Sequence, residues 1–249
     1  MLANEVAYLK QVEAGDVQVY LYGRDRSRTF TGMNIFYAGG VQQVLKYLII
    51  EVSGTVAFVY KDGRFPGEKD TAGGPNLGRI SEANDENLAP TSGQQLASFE
   101  SGMRIDPYLN GAEQTGIGHS WGLANVTSSE VAGARYDKVM SLAGAGMLPD
   151  WKPQPTTEYS NLYFYGLLVH GQGVTNPITN KGVLSDGNNP IHRDEFEQHY
   201  FRGPDDDKFN GAIKTVEEGN ILMNSYNLIA SNSEDNQKAL DDMLGIVTR

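Results

Sequence analysis

The chain contains no cysteine, which excludes disulfides, thiol nucleophiles and zinc–thiolate sites together. Positive charge is also short: 20 Lys and Arg stand against 31 Asp and Glu, a net charge of −11. That field repels phosphate backbones, so nucleic acid and anionic membrane surfaces are poor partners. Histidine is scarce, and any imidazole base must be one of four residues: His119, His170, His192 or His199. There is no long apolar run. The longest, from Val44 to Tyr60, is broken by Lys46, Glu51 and Ser53-Gly54 and reads as helix, turn and strand, not as a membrane span. Nor does Met1-Leu2-Ala3-Asn4-Glu5-Val6 show the basic and apolar regions of a signal peptide. Localisation stays open between the cytoplasm and a larger exported or virion assembly.

What is present suits a folded core: 39% hydrophobic and 10% aromatic residues over 249 positions. No internal repeat, low-complexity tract or linker divides the chain, so residues 1–249 are expected to form one domain. Val17 to Tyr22 alternates apolar and polar residues as a half-exposed strand does. Met33 to Tyr37 reads as a strand ending at Ala38-Gly39-Gly40, and Val41, Val44, Leu45, Leu48 and Ile49 have helical spacing. Thr55 to Tyr60 is an apolar strand, which completes a βαβ unit and implies a parallel sheet. Residues 61–90 are irregular. Thr91-Ser92 are expected to cap a helix running to Met103.

Further strands are expected at Gln114–Gly118, Tyr136–Ala143 and Leu162–Val169, with a helix at Leu123–Ala132. The stretch from His170 to Asn220, rich in Gly, Asn, Asp and Pro, reads as a long lid or excursion between the last strands. A short strand at Ile221-Leu222-Met223 and a final helix from Ser233 to Val247 follow, with Ser233 as N-cap.

One motif carries chemistry. Gly118-His119-Ser120-Trp121-Gly122 fits G-x-S-x-G, the nucleophile elbow, in which a serine sits on a sharp strand-to-helix turn between two glycines. It follows an expected strand and opens an expected helix, as the motif requires. The chain resembles the actinobacterial α/β-hydrolase family DUF1023. Four segments carry the likeness: Phe36 to Gly40, Val56 to Tyr60 with Asp62-Gly63, the elbow, and Asp137 to Gly146. They span about residues 17–150; the C-terminal third matches in outline only.

The resemblance implies an α/β-hydrolase fold, with a mostly parallel central sheet flanked by helices. It implies acyl transfer by Ser120, helped by a histidine that an acid orients. The backbone N–H groups of Trp121 and of the Gly39-Gly40-Val41 loop would form the oxyanion hole; Gly39-Gly40 also reads as an ordinary strand-to-helix turn. No metal or cofactor is expected. Asp205-Asp206-Asp207 begins like a calcium loop, but Phe209 stands where an oxygen ligand is needed.

The triad is where the pattern departs. The loop before the last helix reads Met223-Asn224-Ser225 and holds no histidine; Asn176-Pro177 stands where an Asp-Pro is expected. His192 and His199, in the 170–220 stretch, are candidate bases, and Asp186 a candidate acid, although each also reads as a solvated surface residue. His170 reads equally as a substitute base or a rim residue, and His119 as a packing residue. Two functions remain: a serine esterase acting on a small-molecule or lipid ester (or amide), and a catalytically degenerate hydrolase fold, a pseudoenzyme, that binds protein partners in an assembly such as a cell envelope or virion.

Overall fold

Four strands between residues 115 and 201 pair side by side in chain order, all parallel: β4 (Thr115–His119), β5 (Lys138–Leu142), β6 (Glu158–Phe164) and β7 (Phe196–Phe201). The computed structural model describes residues 18–23, 32–35, 55–60, 84–105, 113–164, 182–183, 186–203, 228–230, 233–247 and 249. A parallel sheet needs crossovers that cover both faces, and β4 and β5 are accordingly buried along their whole length. β7, the last of the described strands in this sheet, is buried only at its two ends, Phe196 and Phe201.

Successive strand residues face opposite sides. On one side Ile117, Met140, Leu142 and Leu162 meet α3 (Gln237–Val247) through Leu240, Met243 and Ile246. On the other, Val139, Tyr159 and Phe196 share a second core with residues of α1 (Leu88–Ile105) and α2 (Gly122–Val131), among them Leu96, Leu123 and Val126. Full burial of a leucine or methionine such as Leu240 or Met243 stabilises by about 1.5–3 kcal/mol each. The result is an α/β fold with helices on both faces of a mostly parallel sheet, as expected. Among the described residues no helix is long and apolar enough to cross a membrane.

Several expectations need correction. The unit formed by β2 (Gly32–Ile35) and β3 (Thr55–Tyr60) does not pair those strands with each other: β1 (Gln18–Gly23) lies between them, antiparallel to both. β2 then comes up against β4 and α2. The 170–220 stretch is not wholly a lid or excursion, because it contains β7. Its pattern Phe-Glu-Gln-His-Tyr-Phe reads as polar, since only its two end side chains are buried. β6 starts at Glu158, four residues before the expected strand, because Ser160 and Asn161 are buried polar residues. Thr91 and Ser92 do not cap α1, which begins at Leu88 with Pro90 in its first turn, where a missing N–H costs nothing. Ser233 has extended N-cap backbone but no side-chain cap bond. The expected helix at 41–49 and strand at 221–223 lie outside the described residues.

α2 is buried along almost its whole length despite being rich in polar residues. Thr127, Ser128 and Ser129 donate their hydroxyls back to the carbonyls of Leu123, Ala124 and Val126, so burial leaves these groups bonded. Asn125 is tied to Ser92 of α1, and both are buried. The two helices approach closely because Gly93 has no side chain: a Cβ there would lie 2.6 Å from Ser128 Cβ and 2.7 Å from its carbonyl carbon. Gly93→Ala is therefore expected to destabilise by roughly 1–3 kcal/mol through overpacking. Urea denaturation checks this; an unchanged midpoint would mean that the helices separate freely.

Candidate active site

Ser120 lies between the end of β4 and the start of α2 with φ of 54°, a left-handed backbone that non-glycine residues rarely adopt. Trp121 then enters helical geometry at φ −64° and ψ −15°. The reversal is so tight that a Cβ on Gly118 would lie 2.6 Å from the Leu123 nitrogen. Only glycine fits there, which is the steric basis of the motif. Three backbone bonds hold the turn. Ser120 N–H donates to the Leu142 carbonyl at 3.0 Å, and the Ser120 carbonyl accepts from Ala145 N–H at 2.9 Å and Leu123 N–H at 3.3 Å. Ser120 itself is 8% exposed.

The support at Ala145 was not legible in the sequence. After β5, Ala143 is also left-handed at φ 47°, and its N–H donates to the Leu162 carbonyl at 2.8 Å. Gly144 N–H donates to Ser141 Oγ at 3.1 Å. Ser141 Oγ in turn donates to Asn161 Oδ1 at 2.7 Å, Asn161 Nδ2 to Gln198 Oε1 at 3.0 Å, and Gln198 Nε2 to the Pro190 carbonyl at 2.9 Å. This chain of side-chain bonds crosses three strands beneath the turn. The signal that might have located the second turn was the run of small residues Ala143-Gly144-Ala145-Gly146.

The candidate partners of Ser120 are placed as follows. His119 is fully buried on the α3 face, and burial pushes its imidazole down to about 4, which makes it a weak base at neutral pH. His199 is level with His119 in the register, through Leu142 and Leu162, but three strands away. Three strand spacings amount to about 14 Å, beyond the reach of an imidazole and a serine side chain together. Its nitrogens instead face Glu197 and Asp242, each at 3.6 Å.

His192 ends a short turn (Pro190–His192) whose Pro190 carbonyl accepts from Gln198 of β7. The structure therefore does not bring His199 to Ser120. Asp186 opens a neighbouring turn (Asp186–Asn188), whose Asn188 carbonyl accepts from Met147 N–H at 3.0 Å. Gly40, Val41, His170, Asn176, Asn224 and the Asp205–Asp207 run lie outside the described residues. Among the described residues no group of three or more His, Asp or Glu is placed to hold a metal ion.

A second ionisable group is buried at the other end of α2. Glu130 accepts from Trp151 Nε1 at 2.8 Å and Tyr159 OH at 2.7 Å, inside a cluster of Trp151, Tyr159 and Phe196 rings. Loss of solvation pushes its carboxyl up to about 7, outweighing the two donors that lower it. Trp151 is thus a core residue, 4% exposed.

Comparison with known proteins adds little. No family model matches this chain. No curated protein matches it either. Among solved structures it is similar to the crystal structure of MGS-M1, an α/β hydrolase enzyme from a Medee basin deep-sea metagenome library. The identity is 16% and the TM-score 0.34, over 92% of this chain and 93% of that one. A likeness at that level assigns neither family nor activity, and the resemblance to the actinobacterial family gains no support. The α/β-hydrolase character rests on the parallel sheet and on the strand–turn–helix at Ser120.

Two of the buried ionisable groups, His119 and Glu130, make opposed contributions to stability. His119 binds fewer protons folded than unfolded between about 4 and 6.5, so its contribution rises with pH. Glu130 binds more protons folded than unfolded between 4.5 and about 7, so its contribution falls with pH. The slopes offset one another where the windows overlap. Relative to wild type, denaturation between pH 4.5 and 6.5 should show the slope of stability with pH more positive in Glu130→Gln and more negative in His119→Gln. Parallel profiles for both variants would contradict the assignment.

Proposed function

We propose that the chain is a serine hydrolase acting on ester bonds, with Ser120 as nucleophile. The observation that carries this reading is the left-handed Ser120 between β4 and α2, over a Gly118 that tolerates no side chain. Such strain costs about 1–3 kcal/mol and persists where the surroundings enforce it, commonly at functional sites. In this reading Ser120 Oγ attacks the carbonyl carbon as its proton passes to a base. The tetrahedral oxyanion is held by Trp121 N–H at the head of α2 and by N–H groups of the Gly40-Val41 loop. The alkoxide then leaves with that proton, and water releases the acid from the acyl-enzyme. Small-molecule and lipid esters are the substrate class.

Elimination narrows the base. His119 is held neutral and poorly basic by burial, and His199 stands three strand spacings from Ser120. Of the four histidines this leaves His170 and His192 as candidate bases.

A fluorophosphonate probe should label the wild-type protein and not Ser120→Ala, read by intact mass. His170→Ala or His192→Ala should slow labelling by about 10²–10⁴, the range of general-base catalysis, while His199→Ala leaves it within a factor of about two. Unlabelled wild-type protein would sink the hydrolase reading. The distance of His199 from Ser120 favours a second reading, an inactive hydrolase fold that binds protein partners; that result would support it.

A further inference from the structure

A hollow of about 350 Å³ opens at the carboxyl ends of β6 and β7, beside the start of α3. That volume is at the small end of ligand pockets. The carboxyl edge of a parallel sheet is also where open α/β folds place ligands. The hollow is separate from Ser120. Phe164 lies on β6, two strands from β4, about 10 Å to the side.

Its lining has two parts. Phe164 and Phe201 are buried, with ring centroids 5.7 Å apart, and make an apolar floor. Tyr200, 60% exposed, stands over it as a further aromatic surface. Among the described residues the polar lining is Arg202, Lys238 and Asp235, an excess of one positive charge in a chain whose net charge is −11. Neither Arg202 nor Lys238 has an ion-pair partner among the described residues.

Each feature narrows the ligand. Aromatic walls favour a flat, apolar body that stacks or lies edge-on against rings. A guanidinium and an ammonium beside that floor favour an anion, and the guanidinium fork matches a carboxylate. The single excess charge, with Asp235 opposing more, disfavours doubly charged phosphate esters. We propose that this hollow binds a small aromatic or unsaturated carboxylate, its ring over Phe164 and Phe201 and its carboxylate between Arg202 and Lys238. The site contains no part of the Ser120 turn and stands whether or not Ser120 is a nucleophile.

The test is calorimetric titration of the full chain with cinnamate and, in parallel, with its neutral isostere cinnamide. Cinnamate should bind saturably, and cinnamide roughly tenfold or more weakly, since it lacks the charge-assisted bonds. Arg202→Gln and Lys238→Gln, both exposed substitutions that leave the core intact, should each weaken cinnamate several-fold. Lys238→Arg should retain binding, and added salt should weaken it. Ser120→Ala should bind cinnamate as wild type does, even though it cannot be labelled. Equal binding of acid and amide, no saturable binding, or indifference to both charge substitutions would overturn the proposal. Loss of binding in Ser120→Ala would overturn it too, by placing the acid at Ser120.

Discussion

The rest of the described structure depends on the reversal at Ser120. Here β4 turns into α2 through a single left-handed residue, and that residue carries a side chain. The strain is held because both polar backbone groups of Ser120 are bonded to the structure that follows β5, at Leu142 and Ala145. Gly118 supplies the clearance and the turn after β5 supplies the clamp. Neither works alone: without the clearance α2 has to move off the sheet, and without the clamp Ser120 can relax.

From that reversal α2 is driven straight into the core, which is why so many of its polar residues are inside. Their hydroxyls return to the helix's own carbonyls, and Glu130 at the far end finds Trp151 and Tyr159. The buried helix therefore joins two ionisable neighbourhoods of opposite sense, a neutral histidine just before it and a poorly ionised carboxyl at its end. The same sheet order that buries α2 separates the histidines. Strands added in chain order carry each later residue one spacing further from β4, so a histidine on β7 is remote from Ser120 although it is level with it in register.

Much of this was legible in the sequence, for reasons tied to particular residues. The strand at Thr55–Tyr60 was visible because an unbroken apolar run has few other folded uses. The Ser120 turn was visible because glycine spacing around a serine answers to a steric requirement local to five residues. β7 was hidden because only its two end side chains are buried, and its Glu-Gln-His-Tyr centre looks like loop. The start of β6 was hidden for a different reason. Ser160 and Asn161 are at home inside only because Asn161 bonds to Ser141 and Gln198, residues 20 and 37 positions away along the chain.

What the sequence determined by itself was local: the alternation of strands and helices, the sharp turn at Ser120, the shortage of histidine and the acidic balance. Each follows from sterics, periodicity or counting over a short window. Tertiary structure alone decided the order β4-β5-β6-β7, the insertion of β1 between β2 and β3, the clamp from Ala145 and the placement of His199 three strands from Ser120. Those outcomes depend on which strand pairs with which. Pairing joins residues far apart in the chain through backbone hydrogen bonds common to nearly all residue types, so side-chain identity alone does not encode it.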